Sequence, residues 1–315
     1  MEGSYGVMNL RWSHLDRDEA TLRDLRSVSA NELRWNAESV VRSGANSWHL
    51  YKKWEHQHWQ VDSLRIGDDR TQWESFSNGS REMLLDLFAS FYVGEYTAVD
   101  GLTAVTRGAP QEDYLVFLAT QSADEARHVA FMNEIDKNLM DGNGSLRDRL
   151  PEFWECLTPP YKALQRVEDQ FVTELLERPD IDSWLRVVTV FHLLTEGVLA
   201  INGQQSIIRA LRLQGDLPEV EKGFIGMMRD ESRHIAFGTQ AVREWVSRGF
   251  ERHVIEAMEM AVPHVVHVGD RGESNLPAVH HLTNLVDRRL AAAGVSLAGR
   301  KHVAIVAARE YDSKM

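Results

Sequence analysis

The chain has 315 residues, 43% of them hydrophobic, which suffices for one large core and at most two domains. Lys and Arg total 35 against 47 Asp and Glu, a formal charge of −12 with no basic stripe, so a nucleic-acid partner is not expected. The only cysteine, Cys156, excludes an intrachain disulfide and any cysteine-based zinc or iron–sulfur site.

A single cysteine fits a reducing cytosol, so a cytoplasmic protein is expected. The first 30 residues carry charges throughout, so no signal peptide is expected, and no apolar run approaches the length of a membrane span. Val, Ile and Thr never alternate with polar residues over a long run, and the chain reads as all-α. No Pro/Gly/Ser-rich linker divides it. One domain over 1–315 is expected: an N-terminal arm and helix (1–75), a helical bundle (80–248) and C-terminal helices (250–315).

Residues 1–30 are polar and read as an arm packed on the surface. Leu33, Trp35, Val40, Val41, Trp48, Leu50 and Trp54 recur at helical spacing and predict a helix over 31–57. A loop through Trp59 and Asp68-Asp69-Arg70 leads to Ser77-Asn78-Gly79-Ser80, which has the residue types of a turn and helix cap. A strong helix is predicted over 81–105. It sets Glu95 within Phe91-Tyr92-Val93-Gly94-Glu95-Tyr96-Thr97-Ala98-Val99, either as a ligand or on a narrow polar stripe. Gly108-Ala109-Pro110 breaks the chain before a helix over 111–140, which carries Glu125 and His128 and ends at Asp141-Gly142-Asn143-Gly144. After Pro159-Pro160 a helix is predicted over 161–177. Asp182-Ser183 opens a long apolar helix to 213, in which Glu196 is a lone carboxylate. His192, four residues earlier, shares its face as a ligand or stands behind it as a support. Gly215 and Pro218 precede a helix over 217–248 bearing Glu231 and His234, and amphipathic helices follow near 250–262, 276–293 and 300–310. The pairs His264/His267 and His280/His281 have no carboxylate in an apolar context and are not expected to hold a metal.

Two stretches repeat: Asp124-Glu125-Ala126-Arg127-His128 and Asp230-Glu231-Ser232-Arg233-His234. Each contains Glu-x-x-His, whose side chains lie one turn apart on one helix face and can reach one metal ion. Two such motifs, with one further Glu from each of two other helices, hold a pair of metals in four-helix carboxylate proteins. Glu95 and Glu196 are those further glutamates. Each precedes its motif by enough residues (30 and 35) for a helix, a turn and an antiparallel return. An unpaired carboxylate in an apolar helix is costly, and a bound cation removes the cost. The expected ligands are therefore Glu95, Glu125, His128, Glu196, Glu231 and His234. Six oxygen and nitrogen donors without thiolate suit iron or manganese, with di-iron and manganese/iron both open. A metal-bound His commonly donates its other ring nitrogen to a carboxylate. Asp124 is expected to orient His234, and Asp230 to orient His128.

With these residues in place, the chain resembles the ferritin-like superfamily over about residues 50–245, and within it the ribonucleotide reductase small-subunit-like proteins. Trp59-Gln60-Val61-Asp62 with Asp68 and Trp73 looks like that group's upstream region, and the resemblance implies a contact from Trp59 to Asp230. Glu196-Gly197-Val198-Leu199-Ala200 and the Asp230–Gly238 segment look like the third and fourth ligand segments of the ligand-binding oxidases. The resemblance implies a ferritin-like four-helix bundle with extra terminal helices, Fe/Fe or Mn/Fe ions, and dioxygen as co-substrate. It also implies an external electron donor, a homodimer, and a pocket for an apolar organic substrate formed by Phe91, Ala98, Val99, Phe191 and His192. Oxidation by hydroxylation, desaturation or N-oxygenation would follow. The alternative is a reductase-like subunit that supplies an oxidant to a partner. Against that stand Met132, at the position of the reductase's radical tyrosine, and Glu310–Met315, which is not an acidic interaction tail. Ala98 and Phe191 stand where the ligand-binding oxidases have a cross-linked Val and Tyr, so a different pocket is implied.

Overall fold

The computed structural model describes residues 21–215, 217–269 and 275–308. Most of the expected N-terminal arm and the tail Glu310–Met315 lie outside these residues. The described chain is helical, with no strand among the described residues.

The chain enters through α1 (Leu22–Leu25), α2 (Ala30–Arg42) and α3 (Ser47–His56). The single helix expected over 31–57 is thus two helices. Gly44 takes a left-handed φ of 67°, which a residue with a side chain rarely adopts, and the Asn46 side chain then accepts the His49 N–H to cap α3. Two short 3₁₀ turns lead to α4 (Arg70–Ser75). Next, α5 (Asn78–Arg107) starts three residues before the expected 81, with Ser77 Oγ accepting the Ser80 N–H at 3.2 Å, and stops at Gly108. It returns through α6 (Glu112–Leu139). Sequence reading expected one helix between 145 and 180; there are two, α7 (Leu146–Cys156) and α8 (Pro159–Glu177). A reciprocal Ser145–Asp148 capping box starts α7, and Thr158 caps α8.

Asp180 caps α9 (Ile181–Gln214), whose middle third, Thr189–Ala200, is wound as a π-helix. Such i→i+5 winding is rare and is found mostly at functional sites. By composition α9 is long and apolar enough to cross a membrane, with mean hydropathy 1.5 in its most apolar window, which corrects the expectation that no segment is. That window is 72% buried inside the protein, however, as befits the central helix of a core. Then come α10 (Pro218–Trp245), α11 (Glu251–Val266), α12 (Leu276–Ala292) and α13 (Leu297–Ala307).

The pairs α5/α6 and α9/α10 pack as two hairpins, and α2 and α3 lie across α10 and α6. Apolar side chains form two clusters. One, with Phe117, Trp184, Leu193 and Phe237, reaches His234 through the edge of Phe117. The other, with Phe88, Phe131, Phe224 and Trp59, reaches His128 through the stacked Trp59 ring. The acidic motifs lie between the two.

Candidate metal centre

Four helices each bring one carboxylate to this layer: Glu95 from α5, Glu125 from α6, Glu196 from the π-wound part of α9 and Glu231 from α10. All are at most 5% exposed, and His128 and His234 are fully buried. The six side chains form two overlapping quartets. Glu95, Glu125, His128 and Glu231 offer donor atoms within 4.8 Å of one another, and so do Glu125, Glu196, Glu231 and His234. Glu125 and Glu231 belong to both. His128 Nδ1 lies 3.1 Å from Glu95, 3.2 Å from Glu125 and 3.7 Å from Glu231. His234 Nδ1 lies 3.2 Å from Glu125, 3.3 Å from Glu231 and 3.6 Å from Glu196.

The opposite ring nitrogens are held across the bundle. His128 Nε2 is 3.2 Å from Asp230 Oδ2, and His234 Nε2 is 3.1 Å from Asp124 Oδ2. This crossed pairing turns both Nδ1 atoms toward the carboxylates. Trp59 Nε1 donates to Asp230 at 2.7 Å. Trp54 Nε1 makes the matching bond to Asp124 at 2.9 Å, which the sequence reading missed because Trp54 was read only as a core position. Arg127 and Arg233 were missed as well. Each donates to both aspartates: Arg127 at 2.7 and 3.2 Å, Arg233 at 3.0 and 2.5 Å. Their signal was the Arg repeated at one position of both motifs. Gln121 was also missed. It donates to Glu196 Oε1 at 2.7 Å while its own oxygen meets His192 Nε2 at 3.0 Å.

Burial raises Glu95 and Glu196 well above the usual carboxylate range, and the neighbouring imidazoles only partly oppose it. Glu231 rises for the same reason, with the Glu125 charge adding to it. Burial would depress His128 and His234, but the surrounding carboxylates hold both well above the ordinary histidine value. Four carboxylates facing two imidazoles leave an excess of negative charge in a dry layer. Glu196 Oε2 is buried and accepts no hydrogen bond, and Glu125 Oε1 has only the His234 ring nitrogen near it, at 3.2 Å. Oxygen atoms left this way are costly unless a cation meets them. The donor set therefore fits two divalent ions of the iron or manganese type.

A cavity of about 450 Å³ runs from this layer outward. Glu95, Glu125, Glu196 and Glu231 form its floor, and its walls include Leu87, Phe91, Ala98, Phe191, Leu199 and Leu282. Of the five expected pocket residues, Phe91, Ala98 and Phe191 line it, but Val99 and His192 do not. Val99 follows Ala98 on α5 and is turned a quarter-turn or more away from the cavity wall. His192 is packed into the α9/α10 contact, where Gly238 leaves room for it; a Cβ there would stand 2.1 Å from His192 Cβ. Burial and the His234 charge push the His192 imidazole down to about 3, so it is a neutral hydrogen-bonding support. Met132 is buried in the second apolar cluster.

The fold and the crossed acidic layer define a four-helix carboxylate bundle. Residues 44–268 match the family model for the ribonucleotide reductase small chain, and the chain belongs to that family. It is similar in structure to an R2-like ligand-binding oxidase from Sulfolobus acidocaldarius, with TM-score 0.67 and 21% identity over 81% of this chain and 92% of that one. A tyrosine-to-phenylalanine variant of an R2-like ligand-binding oxidase, carrying an aerobically reconstituted Mn/Fe cofactor, aligns with TM-score 0.64 and 20% identity over 82% of this chain and 92% of that one.

Proposed function

We propose that this protein is a dimetal oxidase or oxygenase that uses dioxygen to oxidise an apolar organic molecule. The observation that carries this reading is the pair of donor quartets sharing Glu125 and Glu231 at the floor of an apolar cavity. Bound at these residues, Fe/Fe or Mn/Fe would supply the redox chemistry of dioxygen reduction. Glu95, Glu125, Glu196 and Glu231, with His128 and His234, would hold the ions. The chain's remaining task is to hold these groups in place. Asp124 and Asp230 fix the imidazoles, Arg127 and Arg233 balance the aspartates, and Gln121 holds Glu196. Phe91, Phe191 and Leu199 keep the space above the floor apolar, which favours a substrate over water.

Two structures similar to this chain are named as R2-like ligand-binding oxidases, and one of them carries a Mn/Fe cofactor, which supports the same reading. The buried Met132 disfavours a tyrosyl-radical subunit. The test is metal analysis after loading with iron and manganese. Wild type is expected to bind about two ions per chain, and the Glu125→Ala and Glu231→Ala variants at most half of that. Equal metal in wild type and both variants sinks the reading. So does dioxygen consumption that never oxidises an organic substrate from cell extract, because a partner-dependent subunit or a ferroxidase would behave that way.

A further inference from the structure

A second chamber of about 290 Å³ adjoins the first cavity. Gly94, Ala98, Phe191 and Thr195 belong to the walls of both, so the partition between them is two small residues, a threonine and one phenyl ring. The second chamber differs in charge. Its charged lining is Asp100, Glu168 and Asp169 against Arg166. Asp100, Arg166 and Asp169 are exposed, so the chamber reaches the surface. Glu168 is half-buried and lines the chamber.

Gln165 Nε2 donates to Glu168 Oε2 at 2.8 Å, and Thr195 Oγ1 donates to Oε1. Among the described residues no Lys, Arg or His forms an ion pair with Glu168. Two neutral donors orient the carboxylate without neutralising it. A carboxylate has about four lone-pair sites, so each oxygen keeps one for a ligand. Burial pushes this carboxyl up to about 7, which a bound cation would reverse. The dimetal site has no use for the group, because Glu168 belongs to neither donor quartet.

We propose that the second chamber is a subsite for the ammonium head of an elongated apolar amine, with Glu168 as its counter-ion and the apolar remainder lying past Phe191 in the first cavity. This rests on the first cavity being the substrate cavity, and it narrows the substrate class to alkyl- or arylalkylammonium ions. With the head at Glu168, a carbon of the chain, not the nitrogen, faces the metal-binding carboxylates.

The probes are octylammonium, octanol and octanoate, titrated by calorimetry into metal-free full-length protein, where the chamber is read whether or not the dimetal reading holds. Octylammonium is expected to bind at least tenfold more tightly than octanol, and octanoate more weakly than either. Glu168→Gln keeps the shape and is expected to erase the preference for octylammonium while leaving octanol affinity within twofold. Thermal melting checks that this variant is folded. Should it not fold, the order of the three probes on wild type still decides. Octanol matching octylammonium on wild type, or an unchanged preference in Glu168→Gln, overturns the proposal. A failure of metal binding in the earlier test would leave these affinities untouched.

Discussion

Each aspartate of the repeated motif does more than orient a histidine. Asp230 accepts from Trp59, Arg127, Arg233 and faces His128, all inside the protein. Arg233 is 1% exposed and depends on Asp124 and Asp230 for its counter-charge. Removing Asp230 leaves Arg233 with Asp124 alone and takes an acceptor from Trp59 and Arg127, and disrupting a buried pair this way costs roughly 3–5 kcal/mol. Asp230→Ala is therefore expected to lose stability of that order in urea unfolding at neutral pH, and Asp230→Asn less, because its oxygen still accepts a hydrogen bond. A loss below about 1 kcal/mol, the usual size for an exposed pair, would show the network to be solvated. The six side chains that meet in this layer and both aspartates were legible in the sequence because their spacing is helical and repeated. Gln121 was not, because a glutamine in a helix has no pattern that separates it from a solvated one, and its partner Glu196 lies 75 positions away.

At the scale of elements, the segment that holds Glu196 departs from α winding. The π-wound stretch of α9 is tied from outside by Arg289 of α12, whose Nε donates to the Gly197 carbonyl at 2.7 Å. Arg289 is in turn gripped by both oxygens of Glu38 on α2, at 2.6 and 2.7 Å. A helix beyond the bundle thus braces a ligand helix. Burial alone would raise the Glu38 carboxyl, but the charge and hydrogen bonds of Arg289, with Arg34, outweigh it and hold it below its usual value. A carboxylate lowered in the folded state adds stability above its unfolded pKa of about 4.3 and loses it as pH falls through the folded value. The stability gap between wild type and Glu38→Gln is expected to be full at pH 7 and to close progressively below about pH 4, measured by urea unfolding across that range. A gap that persists unchanged in acid would assign the effect to packing. The same contact region yields a second expectation. Gly238→Ala improves helix propensity by about 1 kcal/mol, yet the new methyl would collide with His192 Cβ. Overpacking costs about 1–3 kcal/mol, so the variant is expected to melt at lower temperature than wild type. Neither the π winding nor these contacts were legible in the sequence. Apolar residues fill α9 on every side, so periodicity could not report the register, and the Arg289–Glu38 pair spans 251 positions.

Over the whole molecule, the fold repeats one device twice. Each hairpin supplies a lone glutamate and a Glu-x-x-His, and each motif's aspartate serves the other hairpin's histidine. The repeat was readable because four helix-length apolar segments carried it. The break at Gly44 and the helix α7 were not, since Asn46 and Ser145 are caps that also occur in loops. The crossed arrangement means that neither half can bury its acidic motif alone. Without metal, four buried carboxylates face only two raised imidazoles, and the fold bears the carboxylates' burial and mutual repulsion, which the imidazoles only partly offset. A ligand that binds only the folded state stabilises it by about 2.7 kcal/mol at a hundredfold excess over its dissociation constant. For a chain of this size that corresponds to a rise of roughly 4 °C in Tm per filled site. Loading chelator-stripped wild type with ferrous or manganous ion is accordingly expected to raise Tm by that amount, and renewed chelation to reverse it. Glu125→Ala removes a donor shared by both quartets, so its Tm is expected to respond to metal by less than half as much. A melting curve indifferent to metal in wild type would mean that the layer is balanced by its own protons, as a purely structural polar core would be.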